Sequence, residues 1–191
     1  MGPYLCIKFT TMNASLGQTY LQSVNQRMQT YKELADKTFA QLDEKDFHFS
    51  PNEQSNSIAI IIQHMSGNML SRWTNFLTED GEKTWRERDR EFNDDPRFLT
   101  REQLIGYWEQ GWACLFGSLR SLDEEDLLKT VTIRSEPLTV VDAINRQLAH
   151  YPHHVGQILY VGKIIKGNTW KNLSIPKGQS EQFKQSMQGK H

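Results

Sequence analysis

The chain has 191 residues, with 22 basic and 23 acidic side chains and a formal net charge of −1. This balance argues against nucleic acid as the main partner, because nucleic-acid-binding proteins usually present a strongly basic surface. No stretch of the sequence approaches the roughly 18 apolar residues of a membrane span. The two cysteines, Cys6 and Cys114, predict no disulfide framework and fit a reducing cytoplasm.

The first dozen residues lack the helical pattern of the rest of the sequence, and Met12 offers an alternative start site. We expect residues 1–12 to form a poorly ordered N-terminal extension, as chain termini commonly do. The remaining length, 13–191, suits a single domain with one core.

Four segments carry apolar residues at the spacing of an α-helix. Two of them follow Ser15 and Thr100, each with a glutamine three residues later, which is the spacing of a capping box. Ser55 is the predicted N-cap of the second helix, and Gly167 is the predicted C-cap of the fourth. The predicted helices span 15–42, 56–78, 101–122 and 139–166.

The segments between and after these helices differ in character. A long charged connection, 79–99, joins the second and third helices, and it is either a functional loop or a solvated excursion. The β-prone run 130–133 and a turn at 135–137 predict a small hairpin. The tail after Trp170 is expected to be an irregular polar strap.

The fold class is therefore all-α: a four-helix bundle with a long connection between helices 2 and 3 and a small hairpin before helix 4.

Histidines on two of these helices form the candidate site. His150 and His154 are four residues apart, so they lie on one face of the fourth helix. His64 lies on the second helix, in a polar stripe that continues through Asn68 and Arg72. Three imidazoles that leave one coordination position open are typical of a catalytic rather than a structural metal site. The alternative is three partly buried histidines satisfied by hydrogen bonds.

Three stretches carry a family resemblance: QHMSGNMLSRW, DGEKTWRERDREF and HYPHHVGQI. They resemble the DinB/YfiT-like superfamily, and more narrowly a Bacillus-type branch of unassigned function. The resemblance implies a DinB-like four-helix bundle that often forms a homodimer. It also implies a divalent metal (nickel, zinc, iron or manganese) held by His64, His150 and His154. Several members are S-transferases that use a low-molecular-weight thiol such as bacillithiol.

The resemblance therefore implies a metal-dependent thiol S-transferase that acts on a small electrophilic substrate, and the cysteine content predicts a cytoplasmic location. A thiol bound to a metal loses its proton and becomes the reactive thiolate. Arg72 and Arg146 are candidates for binding carboxylates of the thiol or substrate, with structural ion pairs as the alternative. Asn68 and Gln157 are candidates for orienting the ligand imidazoles or a bound water, with core hydrogen bonding as the alternative.

Two other function classes stay open. One is a non-catalytic bundle that binds a metal or a small ligand in stress response. The other is a metal-dependent hydrolase, which would need an acidic side chain near the metal. No glutamate lies between His150 and His154, where an HExxH enzyme keeps its general base, so Glu136 and Asp142 are the acidic candidates.

Overall fold

The computed structural model describes residues 14–93 and 99–188, and helices dominate it. The predicted N-terminal extension, 1–12, lies outside the described residues. The helices are α1 (Leu16–Phe39), α2 (Ile58–Trp73), α3 (Arg101–Ser121), α4 (Val140–Lys166) and α5 (Ser180–Gln188), and the strands are β1 (Thr130–Ile133) and β2 (Glu136–Thr139). Within these described ranges, no helix combines the length and the apolar character that a membrane span requires.

Capping boxes begin α1 and α3. The Ser15 side chain accepts the backbone N–H of Gln18 at 3.1 Å, and the Thr100 side chain accepts that of Gln103 at 3.3 Å. Each glutamine side chain accepts in return the backbone N–H of its cap residue. Both predicted capping boxes are therefore confirmed.

Helix α2 is shorter than predicted at both ends. Its N-cap is Ser57 rather than Ser55, and the Ser57 side chain accepts a backbone N–H at 3.2 Å. Ser55 donates instead to Asn52 Oδ1 at 3.1 Å, within the preceding turn. At the other end the helix stops at Trp73, because Thr74 adopts an extended conformation with a ψ of 123°, and Asn75 follows with a left-handed φ of 50°.

Helix α4 carries two of the three candidate ligands and runs for 27 residues. It begins after the N-cap Thr139 and ends before Gly167, whose φ of 50° favours glycine, as predicted for a C-cap. Pro152 removes one backbone donor between the two histidines, yet the helix continues through it. The tail is less irregular than predicted, since α5 forms within it.

The four long helices pack around a shared core. Helix α2 lies against α3 and α1 lies against α4, while further contacts join α2 to α4 and α1 to α3. This arrangement is consistent with a helical bundle. Twelve of the 16 residues of α2 are buried, so its polar side chains need partners inside the protein. The large buried side chains of the core include Phe47, Trp73, Trp108, Trp112 and Tyr151.

A short antiparallel hairpin precedes α4, as predicted, with Ile133 opposite Glu136. Its turn consists of Arg134 and Ser135, which both have positive φ. The predicted turn, 135–137, began one residue too late and ended two residues too late, because Glu136 and Pro137 are both members of β2.

The described part of the connection between α2 and α3 packs against α2 and the hairpin. It contains a short 3-10 helix, Arg88–Phe92, that contacts α2. Nearer its start, the backbone N–H of Gly81 donates to the carbonyl of Thr132 in β1 at 2.8 Å. The connection therefore bridges the hairpin and α2, next to the candidate histidines.

Candidate metal centre

Helices α2 and α4 bring the three candidate histidines together. Nε2 of His150 lies 3.4 Å from Nε2 of His64 and 3.1 Å from Nε2 of His154. One nitrogen from each ring lies within 4.8 Å of the other two. Nitrogens that bind one ion at roughly 2.0–2.1 Å in tetrahedral geometry are about 3.3 Å apart. The three rings can therefore hold a single divalent metal ion.

The outer nitrogens of two rings contact acceptor groups, and these contacts determine which nitrogen carries the proton. Nδ1 of His64 lies 3.0 Å from Glu91 Oε2, and a carboxylate only accepts, so this Nδ1 carries the hydrogen. Nδ1 of His154 lies 2.8 Å from Gln157 Oε1, which also accepts. With the hydrogen on Nδ1, the neutral form of each of these two rings leaves a bare Nε2 lone pair inside the cluster, an arrangement that a cation would stabilise.

Burial favours the neutral form of His150 and His154. Burial, reinforced by the neighbouring His154 and His64, lowers the pKa of His150 to about 3. Burial also lowers the pKa of His154, although the hydrogen bond with Gln157 acts in the opposite direction. Since neutral imidazole is the form that binds metals, both rings are in the coordinating state near neutral pH.

Glu91 is the functional candidate that the sequence analysis missed. Arg86 donates to its carboxylate twice, from Nε to Oε1 at 2.7 Å and from Nη2 to Oε2 at 3.0 Å. Burial by itself raises the pKa of Glu91, but the hydrogen bonds from His64 and Arg86 outweigh it and lower the pKa overall. No spacing rule could have found this residue, because it lies in a charged connection 27 residues from His64.

A cavity of about 450 Å³ opens beside the cluster, lined in part by His64 and His150. Its volume falls within the range of small-molecule sites. Its wall is positively charged, and guanidinium groups bind carboxylates and phosphates well. Gln147 also lines the cavity, and its buried Oε1 has no hydrogen-bond partner among the described residues. The lining arginines are Arg72, Arg88, Arg134 and Arg146.

The two arginines singled out from the sequence both line this cavity, but their surroundings differ. Arg72 is buried and donates to the carbonyl of Gly81 and, at 3.0 Å, to Glu82 Oε2. Its guanidinium therefore holds the connection against α2. Arg146 is 45% exposed and lies 3.8 Å from Glu136, so it is less constrained.

The two amides singled out from the sequence also differ. Asn68 lines the cavity, but its Oδ1 accepts the hydroxyl of Tyr151 at 3.0 Å rather than contacting a histidine. Gln157 lies between two imidazoles, since its Oε1 faces His154 and its Nε2 lies 3.3 Å from Nε2 of His153. Gln157 thus contacts a candidate ligand ring, whereas Asn68 belongs to a buried hydrogen-bond chain.

The acidic residues considered for a hydrolase do not join the histidine cluster. Glu136 is exposed and faces Arg146, and Asp142 lies in the first turn of α4. Within the described ranges, the carboxylate hydrogen-bonded to a candidate ligand is that of Glu91, on the outer nitrogen of His64.

Comparisons with known proteins identify the family of the chain. A family model described as "Protein of unknown function (DUF1572)" matches residues 15–179. A comparison with curated proteins gives no match. Among solved structures, a conserved protein from Enterococcus faecalis is similar to this chain, with 16% identity and a TM-score of 0.58 over 76% of this chain and 96% of that one. That likeness supports the helical fold alone, whereas the family match covers most of the sequence, so the chain belongs to the DUF1572 family of proteins of unknown function.

Proposed function

We propose that this chain is a DinB-like four-helix bundle in which His64, His150 and His154 bind a divalent metal ion. The observation that carries the proposal is the spacing of the Nε2 atoms, at 3.1 and 3.4 Å from His150. Zinc, nickel, iron and manganese are all compatible with imidazole ligands, and nitrogen donors favour the first three. The homodimer implied by the family resemblance stays a prediction.

We further propose that the centre serves a thiol S-transferase whose thiol or electrophile carries an anionic group. His64, His150 and His154 would hold the ion, and a divalent metal there would lower the pKa of a bound thiol and favour the thiolate, which is the reactive nucleophile. The sulfur forms a bond to the electrophilic carbon, the leaving group departs with its electron pair, and the thiol proton passes to solvent. This chemistry does not need the glutamate base that HExxH enzymes keep between their two histidines, and no glutamate lies between His150 and His154.

The arginines that line the cavity support the proposal that the thiol or the electrophile carries an anionic group. Arg146 is suited to contact a carboxylate, because it is partly exposed and only loosely paired with Glu136. Arg72 adds positive charge while it holds the wall of the cavity. The amide of Gln147 offers an unused acceptor to a hydroxyl or N–H group of the ligand. Asn68 contributes its amide to the same wall.

The test uses protein purified without a histidine tag. We expect elemental analysis to find close to one divalent ion per chain. We also expect the protein to accelerate conjugation of a low-molecular-weight thiol to monochlorobimane. His64→Ala should lose the ion and the acceleration together. His153→Ala, which removes a neighbouring imidazole outside the cluster, should retain the ion.

The possible outcomes separate the parts of the proposal. Metal-free protein that conjugates as fast as the loaded protein would overturn the metal-dependent mechanism. Protein that binds the ion through the three histidines but does not accelerate conjugation would instead support a non-catalytic metal-binding bundle.

A further inference from the structure

We propose that Glu91 is a positioning residue of the metal centre and that Gly67 provides the space for its carboxylate. This inference rests on the proposed metal centre, but it concerns how the protein shapes that centre. Its central observation is the juxtaposition of Glu91 with the outer nitrogen of His64, 3.0 Å from Nδ1 to Oε2. The long connection would thus contribute to the metal centre the carboxylate that orients one of its ligands.

The carboxylate is held rigidly in a buried position. The side chains of Arg86 and Glu91 are only 2% and 9% exposed, and two hydrogen bonds join them. A bidentate arginine–carboxylate pair fixes both the position and the plane of the carboxylate. Glu91 therefore presents Oε2 to His64 in one orientation.

Neighbouring contacts hold this part of the connection on α2. Gln63 donates from Nε2 to the carbonyl of Asn93 at 3.0 Å, just beyond the 3-10 helix. The ring of Phe92 lies 5.7 Å from that of His64, between centroids. His64 is thus enclosed on its outer side by groups from the connection.

Gly67 lies one helical turn after His64, beneath the carboxylate. A Cβ atom at this position would come within 2.9 Å of Glu91 Cδ and closer still to Oε1. The end of a glutamate side chain can usually move aside, but here Arg86 and His64 both hold it. Only glycine therefore allows the carboxylate its observed position.

The arrangement has a defined chemical effect on the ligand. A carboxylate that accepts the Nδ1–H of a metal-bound histidine fixes the tautomer and ring orientation, and it makes Nε2 a stronger donor. His154 has the neutral Gln157 in the corresponding place. Of the three histidines, His64 should therefore donate its Nε2 lone pair to the metal most strongly, although it is the ligand most distant in sequence.

The test compares two glycine-to-alanine variants that alter no ligand. In Gly67→Ala the new methyl group should displace Glu91 from His64. Gly156→Ala is the matched control, because it lies on α4 two residues from His154 and a Cβ there meets nothing within 4 Å. We expect Gly67→Ala to bind Co²⁺ about 10- to 100-fold more weakly than the unaltered protein, and Gly156→Ala to bind it unchanged.

A second variant tests the same inference in case Gly67→Ala does not fold. Glu91→Gln keeps the size of the side chain but removes its charge. We expect weaker Co²⁺ binding and, at saturating Co²⁺, a shifted visible absorption spectrum, which reports the ligand field at the ion. A role in folding alone would lower the melting temperature and leave the saturated spectrum unchanged.

The outcomes distinguish this inference from the proposed function. Unaltered protein that fails to bind Co²⁺ would overturn the metal centre itself. If the unaltered protein binds Co²⁺ and Glu91→Gln binds it with the same affinity and spectrum, Glu91 has no positioning role and the metal centre stands.

Discussion

The depressed pKa of His150 has a consequence for stability. Its pKa is about 3 in the folded protein, because burial and the neighbouring histidines disfavour the charged ring. An unfolded chain has a histidine pKa of about 6.5. Between these values the unfolded state binds more protons than the folded state, so stability falls as the pH drops below about 6.5.

We predict that the metal-free protein loses stability through this range, by at most about 1 kcal/mol per pH unit for one partly exposed ring. Urea unfolding at several pH values between 7.5 and 4.5, with a chelator present, measures the loss. His150→Gln should flatten this part of the profile, because glutamine does not titrate. An unchanged slope in the variant would assign the acid sensitivity to other groups.

At the scale of single elements, the hairpin turn carries local strain. Arg134 and Ser135 adopt φ values of 57° and 63°, a conformation that costs a residue with a Cβ atom roughly 1–2 kcal/mol. The backbone N–H groups of both residues donate to the carboxylate of Asp80, at 2.9 and 2.8 Å. These contacts explain how the turn tolerates two residues other than glycine.

We predict that Ser135→Gly stabilises the protein by about 0.5–1 kcal/mol, because relief of the strain exceeds the added flexibility of the unfolded chain. Both Asp80 contacts use backbone atoms and persist in the variant. The midpoint of urea unfolding measures the change, and Ser135→Ala, which keeps the Cβ atom, should give no gain. A lower midpoint for Ser135→Gly would contradict a strained turn.

The elements also show which features the sequence could predict. The pairing of His150 with His154 was predictable, because residues four apart on a helix share a face wherever the helix packs. The start of α2 was not, because Ser55 and Ser57 are equally good caps and only the turn around Asn52 decides between them. Glu91 could not be predicted for a similar reason, since the candidate ligand that it contacts, His64, lies on another element and shares no local spacing with it.

At the scale of the whole molecule, the proposed metal would connect parts of the chain that are distant in sequence. His64 on α2 and His150 on α4 are 86 residues apart. An ion bound by both would link these helices in the folded state, whereas the unfolded chain would not hold the same ligands together. Metal binding should therefore stabilise the fold by mass action.

We predict that metal at about 100 times its dissociation constant adds roughly 2.7 kcal/mol of stability. For a chain of this length, that gain raises the melting temperature by about 5–10 °C. Thermal unfolding with and without the metal measures the shift, and His64→Ala should show almost none. An equal shift in this variant would mean that the ion binds elsewhere.

The location of Cys114 bears on where the reacting sulfur comes from. Its Sγ lies 3.6 Å from the hydroxyl of Thr74, at a different cavity from the one beside the histidines. No cysteine among the described residues belongs to the histidine cluster. The proposed transferase would take its nucleophile from a diffusible cosubstrate, so each catalytic cycle would end with release of a conjugate and without covalent attachment to the described part of the polypeptide.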